Sequence, residues 1–216
     1  MLFDQFDQVR IISLSHRTDR RREVSAELFK IGVQIDGSRV AFFDACQVKD
    51  PGEFYSAGAR GCYLSHLEIL ESARGSVLIL EDDCDFTVGA ADYIVPECDV
   101  FYGGYYAANP ADLTTSDIIG SHMMGYFNPS EVGTYLRKTL ESPASRGNVP
   151  PPPMDAAIVW YRRAHPDARV AFANPALAHQ RPSKTDIGPS SFIDRLPFAA
   201  TFARRWKRIL RGPLRR

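Results

Sequence analysis

The sequence predicts an α/β fold in which a mainly parallel central sheet is flanked by helices. Short apolar segments rich in β-branched residues alternate with longer segments whose apolar residues recur every three or four positions. One apolar segment, 77–80, ends directly in the three carboxylates Glu81, Asp82 and Asp83. Because ligands of open α/β sheets bind beyond the carboxyl ends of the strands, we expect a functional site there.

The predicted elements follow one another in a regular order. The first strand covers 9–14, and the helix after it has Thr18 or Asp19 as its N-cap and closes at Gly32. The further predicted strands are 40–43, 77–80, 100–102 and 170–172, and the further predicted helices are 59–73, 130–140 and 154–163. The proline-rich segment 142–153 has no core-forming pattern and is predicted to be a loop, either stiff or mobile.

The chain divides into one predicted domain, 1–190, and a basic aromatic tail, 191–216. The formal net charge is zero, but seven of the 26 basic residues lie in 203–216, where there is no acid. The rest of the chain therefore has 19 basic and 26 acidic residues, a charge of about −7. An acidic body of this kind argues against nucleic-acid binding by the fold.

The cysteines and the N-terminus predict a cytoplasmic protein. Cys46, Cys62, Cys84 and Cys98 are far apart and form no C-x-x-C pair, which argues against both a zinc site and a disulfide framework. The chain shows neither a signal-peptide pattern nor an apolar run of about 18 residues, the length that a spanning helix needs. We therefore expect a reducing, cytosolic environment.

The carboxylates at 81–83 are the first candidate site. Three adjacent acids repel one another unless a cation or a basic ligand neutralises them, and hard oxygen ligands suit Mg²⁺ or Mn²⁺. The alternative is a solvated turn that is acidic by chance, since Asp is also common where strands end.

Two further segments carry candidate ligand-binding residues. The basic loop 17–21 precedes a helix N-terminus, an arrangement that suits a pyrophosphate or a nucleotide, although a solvated first turn would have the same composition. In 58–66, two glycines permit close backbone approach, and the helix then presents Ser65 and His66. A histidine in a helix is, alternatively, a packing residue held by hydrogen bonds.

The order of these segments resembles glycosyltransferase family 25, which includes bacterial lipopolysaccharide and lipooligosaccharide galactosyltransferases and the collagen galactosyltransferases. The resemblance covers about 8–187 and is strongest in 58–83, where Gly-x-x-Gly-Cys-x-x-Ser-His is followed by Leu-Glu-Asp-Asp. The segments 120–126 and 175–180 are also similar to family motifs. Two departures are Ala59, where the family usually has Glu, and Gly125, where it usually has Ala.

The resemblance implies a nucleotide-diphospho-sugar transferase with the GT-A fold, which uses a UDP-sugar and Mn²⁺ or Mg²⁺. On this basis Asp83 is a direct metal ligand and His179 completes the metal shell; a surface or packing role is the alternative for His179. The residues then expected to contact the donor are Arg17, Arg21, Gly61, Ser65, His66, Glu81 and Asp82.

Family members invert the anomeric centre, so the resemblance also implies a carboxylate that takes the proton of the acceptor hydroxyl. Asp155 is the candidate for this general base. The alternative is that Asp155 is the N-cap of the helix that follows it.

The implied function is transfer of a sugar, with galactose as the first candidate, to a glycan or lipid-linked oligosaccharide in lipopolysaccharide or surface-glycan biosynthesis. One alternative is a catalytically inactive relative that binds sugar nucleotides or glycans, which Ala59 and the short chain allow. Another is a metal-dependent phosphohydrolase, but the five histidines lack the clustered spacing of two-metal hydrolases.

The tail 192–216 has two interpretations. Its Phe and Trp residues recur every three to four positions among Arg and Lys, which is typical of a helix lying on an anionic membrane surface. The enzyme would then be peripheral at the inner membrane face. The same pattern fits a helix that packs its aromatic side on the domain.

Overall fold

The computed structural model describes residues 1–181, so both interpretations of the tail lie outside the described residues. The strands are β1 Gln8–Ser13, β2 Val40–Asp44, β3 Val77–Glu81, β4 Cys84–Phe86, β5 Val100–Ala107, β6 Ile118–Tyr126, β7 Val170–Phe172 and β8 Ala178–Gln180. The α-helices are α1 Thr18–Lys30, α2 Ala57–Ser72, α3 Pro129–Glu141 and α4 Met154–Ala164.

Six strands form one sheet in the order β2-β1-β3-β6-β5-β7. β1 is parallel to β2 and β3, and β7 is parallel to β5, whereas β6 is antiparallel to both of its neighbours. Five of these six strands therefore point the same way, which confirms the predicted α/β class with a mainly parallel sheet and flanking helices. β4 and β8 form a separate antiparallel pair.

The apolar run of β3 explains why this strand lies inside the sheet. Its residues alternate between two cores: Leu78 and Leu80 pack with Val24 and Leu28 of α1, while Val77 and Ile79 pack with α2, α3 and α4. A strand that is covered on both faces has no solvent side, so its sequence is apolar throughout rather than alternating.

β6 is the main element that the sequence pattern did not predict. Two glycines and two polar residues interrupt its apolar pattern, yet tertiary contacts bury most of the strand. Gly125 allows one such contact, because a Cβ there would lie 2.6 Å from the ring of Phe6. Gly125, where glycosyltransferase family 25 usually has Ala, therefore fits the packing of this chain.

The predicted N-cap of α1 is wrong. The N-cap is Arg17, which makes no side-chain cap bond, and Thr18 is the first helical residue. Asp19 lies in the first turn, where it accepts a hydrogen bond of 3.0 Å from Nε of Arg17. The hydrogen bond from Arg17 is the main cause of the lowered pKa of Asp19.

The loop 142–153 is held in place by one buried arginine. It begins with a single 3-10 turn, Pro143–Arg146, and the side chain of Arg146 is only 1% exposed. That side chain donates hydrogen bonds to the carbonyl groups of Val149 (2.6 Å) and Thr139 (3.3 Å) and pairs with Glu53. The stiffness or mobility of this segment stays a prediction.

All four cysteines are free thiols, as predicted. Among residues 1–181, no helix combines the length and the apolar character needed to cross a membrane.

Candidate functional site

The carboxyl ends of β1, β2 and β3 meet at one edge of the sheet. The parallel registers place Ile12 beside Glu81 and Ser13 beside Asp44. β6 starts at the same edge, because its antiparallel pairing sets Met123 opposite Leu80. The acidic end of β3 is therefore surrounded by residues from β1, β6 and the helices above them.

Asp82 is anchored inside the protein. Its Oδ2 accepts a hydrogen bond of 2.7 Å from the hydroxyl of Ser13, and its Oδ1 accepts one of 2.9 Å from Nη1 of Arg20. Asp82 is 7% exposed. Both oxygens are thus engaged, and Asp82 fixes the turn after β3 in one orientation.

Asp83 differs because one of its oxygens has no partner. Oδ2 accepts a hydrogen bond of 3.1 Å from Nε2 of Gln180, whereas the buried Oδ1 accepts none from any of residues 1–181. Burial and the nearby Glu81 carboxylate raise the pKa of Asp83 to about 7, against the opposing effect of Arg20. A buried oxygen that lies near other carboxylates and has no hydrogen-bond partner within residues 1–181 suits a hard divalent cation.

Glu81 contacts a serine and lies near a histidine. Its Oε1 accepts a hydrogen bond of 2.9 Å from the Ser121 hydroxyl and lies 3.8 Å from Nε2 of His66. Burial opposes the charged form, but His66, His122 and Ser121 outweigh it and lower the pKa of Glu81. Glu81 therefore ionises more readily than Asp83.

Asp155 reaches the same edge through β6. Its Oδ2 accepts a hydrogen bond of 3.0 Å from the amide of Gly120, and its Oδ1 accepts one of 2.8 Å from the amide of Ala156. The N-cap of α4 is Pro153, so the alternative interpretation of Asp155 as the N-cap is wrong. Burial raises the pKa of Asp155 to about 6, a value suited to a base at neutral pH.

The arginine that contacts the carboxylates is Arg20. Arg17 pairs with Asp19, and Arg21 donates to the carbonyl of Ser13 at 3.0 Å and pairs with Asp44. Arg17 and Arg21 are the predicted donor contacts, and Arg20 is not among them. Its position was a usable signal, because Arg20 extends by one turn the buried stripe that Val24 and Leu28 form on α1.

Gly61 and Ser65 hold the loop before α2. A Cβ on Gly61 would lie 2.5 Å from the carbonyl oxygen of Cys46, so only glycine allows this approach. The Ser65 hydroxyl donates to the carbonyl of Gly61 (2.7 Å) and accepts from the amide of Cys46 (2.8 Å). Both residues have a packing role here, and their contact with a donor stays a prediction.

The two buried histidines of the site have different surroundings. His66 is fully buried, and neither ring nitrogen has a hydrogen-bond partner in the described part of the chain. Its role, as a packing residue or as a contact of the donor, stays a prediction. Nε2 of His122 lies 3.1 Å from the carbonyl oxygen of Ala178, and burial lowers the pKa of His122.

β8 brings the segment 178–181 to the acidic turn. His179 is exposed and lies opposite Asp85 of β4, while the next residue, Gln180, reaches Asp83. The amide of Arg181 also donates to the carbonyl of Asp83 at 2.7 Å. Gln180 was not predicted as a contact of Asp83, because the residue predicted to serve the metal in this segment is His179. That role of His179 stays a prediction.

Comparisons with known proteins give only distant similarities. The chain matches no sequence profile of a known family and no curated protein. Among solved structures, it is similar to a glycosyltransferase involved in the glycosylation of the major capsid of PBCV-1, with a TM-score of 0.46 and 11% identity over 80% of this chain and 93% of that one.

It is also similar to the apo form of the glycosyltransferase GlyE from Streptococcus pneumoniae TIGR4, with a TM-score of 0.47 and 10% identity. That similarity covers 96% of this chain and 65% of GlyE. These values are too low to assign an activity to this chain, and membership of glycosyltransferase family 25 stays a prediction.

Proposed function

We propose that this protein is a glycosyltransferase with a GT-A-like fold that moves a sugar from a UDP-sugar to an acceptor hydroxyl with inversion. The observation that carries the proposal is the buried Oδ1 of Asp83 at the carboxyl edge of the sheet, which has no hydrogen-bond partner among residues 1–181. Asp155, a carboxylate with a pKa of about 6, is joined to the same edge through Gly120. The resemblance to glycosyltransferase family 25 supports the same function.

On the donor side, Asp83 would hold Mn²⁺ or Mg²⁺, with His179 from the adjacent β8 as the second protein ligand. A bound cation stabilises the negative charge that develops on the leaving diphosphate. Asp82 and Arg20 contribute by fixing the turn that carries Asp83. The residues proposed to surround the donor are Arg17, Arg21, Gly61, Ser65, His66, Glu81 and Asp82.

On the acceptor side, Asp155 acts as the general base. The acceptor oxygen forms a bond to the anomeric carbon while the bond from that carbon to the diphosphate oxygen breaks, and the electron pair leaves with UDP. Asp155 takes the hydroxyl proton. The amides of Gly120 and Ala156 hold the carboxylate in place during this step.

The proposed acceptor is a glycan or a lipid-linked oligosaccharide of surface-glycan biosynthesis. With the tail as a contact to anionic lipid, the enzyme would work at the inner face of the membrane. This part of the proposal depends on the sequence pattern alone.

A donor screen tests the proposed function. Thermal unfolding is measured with UDP- and GDP-sugars, with and without Mn²⁺, since a ligand that binds only the folded state raises the unfolding temperature. We expect a UDP-sugar to stabilise the protein in the presence of Mn²⁺, and the same donor to be turned over. Binding without hydrolysis or transfer would favour the inactive relative, and no stabilisation by any nucleotide sugar would contradict the proposal.

A further inference from the structure

We propose that Cys62, His66 and Glu81 form a second cation site, distinct from Asp83, that takes a borderline-soft divalent ion, Zn²⁺ in the first place. The inference does not depend on the proposed function, because it concerns metal binding by three side chains and not sugar transfer.

The three ligands converge from one helix and one strand. Cys62 and His66 are four residues apart on α2 and therefore share a face of the helix, which packs against the end of β3 where Glu81 lies. One ligand atom from each residue lies within 4.8 Å of the other two, and Nε2 of His66 is 3.8 Å from Oε1 of Glu81. Tetrahedral zinc bonds separate ligand atoms by about 3.3–3.8 Å, so side-chain movements of about 1 Å would close the site.

The state of His66 is the second observation that points to a ligand. The imidazole is 0% exposed, and neither nitrogen has a hydrogen-bond partner within residues 1–181. Buried polar atoms are nearly always satisfied, so an imidazole with two bare nitrogens needs an explanation. A metal ion would satisfy one of them.

The charges around the cluster favour a cation. The Cys62 thiol lies close enough to Glu81, Asp83 and Asp155 for their charges to act on it, and burial together with these carboxylates raises its pKa. Without metal the group is a neutral thiol; binding forms the S–metal bond, breaks the S–H bond and releases the proton to solvent. The Ser121 hydroxyl, which donates a hydrogen bond to Glu81, would orient this ligand without contacting the metal itself.

The chemical types of the three ligand atoms decide which ion fits. One thiolate, one imidazole and one carboxylate suit Zn²⁺, whereas Mg²⁺ and Mn²⁺ prefer oxygen ligands such as Asp83. Three protein ligands leave a fourth position open. The absence of a C-x-x-C pair argues only against zinc sites whose ligands are close in sequence. Here the third ligand comes from a different element, β3.

Cobalt substitution tests the site directly. Co²⁺ added to the full-length reduced protein should give a thiolate-to-cobalt charge-transfer band at a 1:1 ratio, and Zn²⁺ should abolish it. Cys62→Ala should remove the band, whereas the matched control Cys46→Ala should retain it, since Cys46 lies outside the cluster. A band that persists in Cys62→Ala, or that is lost only in Cys46→Ala, would overturn the proposal.

Alkylation of the wild-type protein gives a second test that does not depend on the folding of a variant. Thiols are labelled with iodoacetamide, with and without Zn²⁺, and each cysteine is quantified by mass spectrometry. We expect Zn²⁺ to slow labelling of Cys62 at least tenfold and to leave Cys46 unchanged. An equal labelling rate of Cys62 with and without Zn²⁺ would refute a thiolate ligand there.

Discussion

At Asp155, burial and two backbone amides act on the same carboxylate in opposite directions. Burial raises its pKa, the amides of Gly120 and Ala156 lower it, and the result is about 6. Gly120 can supply its amide because its φ of +88° lies in the left-handed region that favours glycine. A carboxylate poised in this way is ionised at neutral pH and still basic enough to accept a proton.

Replacing Asp155 with Asn should slow sugar transfer by about 10²–10⁴-fold, the range for losing a positioned general base. Donor affinity should change little, because the base serves the acceptor. In the wild type, the rate should fall as the pH drops below about 6, since protonated Asp155 accepts no proton. Steady-state rates from pH 5 to 8 check both points; unchanged turnover in Asp155→Asn would remove the residue from the mechanism.

At Asp83, the proposed cation site lowers the stability of the metal-free protein. Its pKa of about 7 in the fold, against 3.8 for the free side chain, means that the folded state holds the proton more tightly. Without metal, this group therefore makes stability fall as the pH rises from about 4 to about 7.

Asp83→Asn should raise the unfolding temperature of the metal-free protein at pH 8 by about 2–4 °C, which corresponds to about 1 kcal/mol. The gain should vanish near pH 4, where Asp83 carries a proton. Calorimetry in the presence of a chelator measures the effect, with the exposed Asp167→Asn as the control. A lower unfolding temperature at pH 8 would show that the ionised carboxylate stabilises the fold.

Among the elements, the loop 142–153 receives several hydrogen bonds from the buried side chain of Arg146. Arg146 satisfies several carbonyl groups from inside the protein, whereas its partner Glu53 is 63% exposed. The hydrogen bonds, more than the ion pair, should therefore hold the loop before α4, because exposed pairs contribute little.

Arg146→Ala should lower the free energy of unfolding by about 2–4 kcal/mol, since it leaves buried carbonyl groups without donors and opens a cavity. Glu53→Ala, the matched control, should cost at most about 1 kcal/mol. Urea denaturation of both variants makes the comparison. Equal losses in the two variants would mean that the ion pair is the main contribution.

The elements predicted from sequence were those with a clear periodicity or a continuous apolar run, such as α1 and β3. β6 was missed because its glycines and polar residues are explained by tertiary contacts and not by a local pattern. Gly125 leaves room for the ring of Phe6, and the Ser121 hydroxyl donates a hydrogen bond to Glu81. β4 and β8 have three residues each and, within residues 1–181, pair only with each other, so no local pattern marks them. At the site, the acidic turn and Asp155 were visible in sequence. Arg20 could have been found from its place on the buried stripe of α1, whereas Gln180 as the partner of Asp83 required the folded chain.

On the scale of the whole molecule, the candidate chemistry lies at one edge of the sheet. The carboxyl ends of three parallel strands supply Ser13, Asp44 and the acidic turn, and α2 and α4 approach the same edge with His66 and Asp155. The two cores on either side of the sheet fix these positions. The proposed donor and acceptor sides would both lie at this acidic cluster.

The basic tail carries a prediction of its own for the full-length chain. Each Arg or Lys near an anionic surface contributes roughly 1 kcal/mol, so half of the seven in 203–216 would suffice for weak, reversible binding. Co-sedimentation with anionic vesicles should therefore decrease with salt and disappear after truncation at Arg195. Absence of binding at low salt would leave the packing interpretation of the tail.

The central claim is that Asp83 holds a divalent cation against a UDP-sugar. Isothermal titration of UDP into the protein, with Mn²⁺ and with chelator, tests it most directly when wild type and Asp83→Ala are compared. We predict that Mn²⁺ tightens UDP binding to the wild type and has no such effect on Asp83→Ala, with both proteins equally folded by circular dichroism. Equal Mn²⁺-dependent UDP affinity in the two proteins would contradict the assignment of the site.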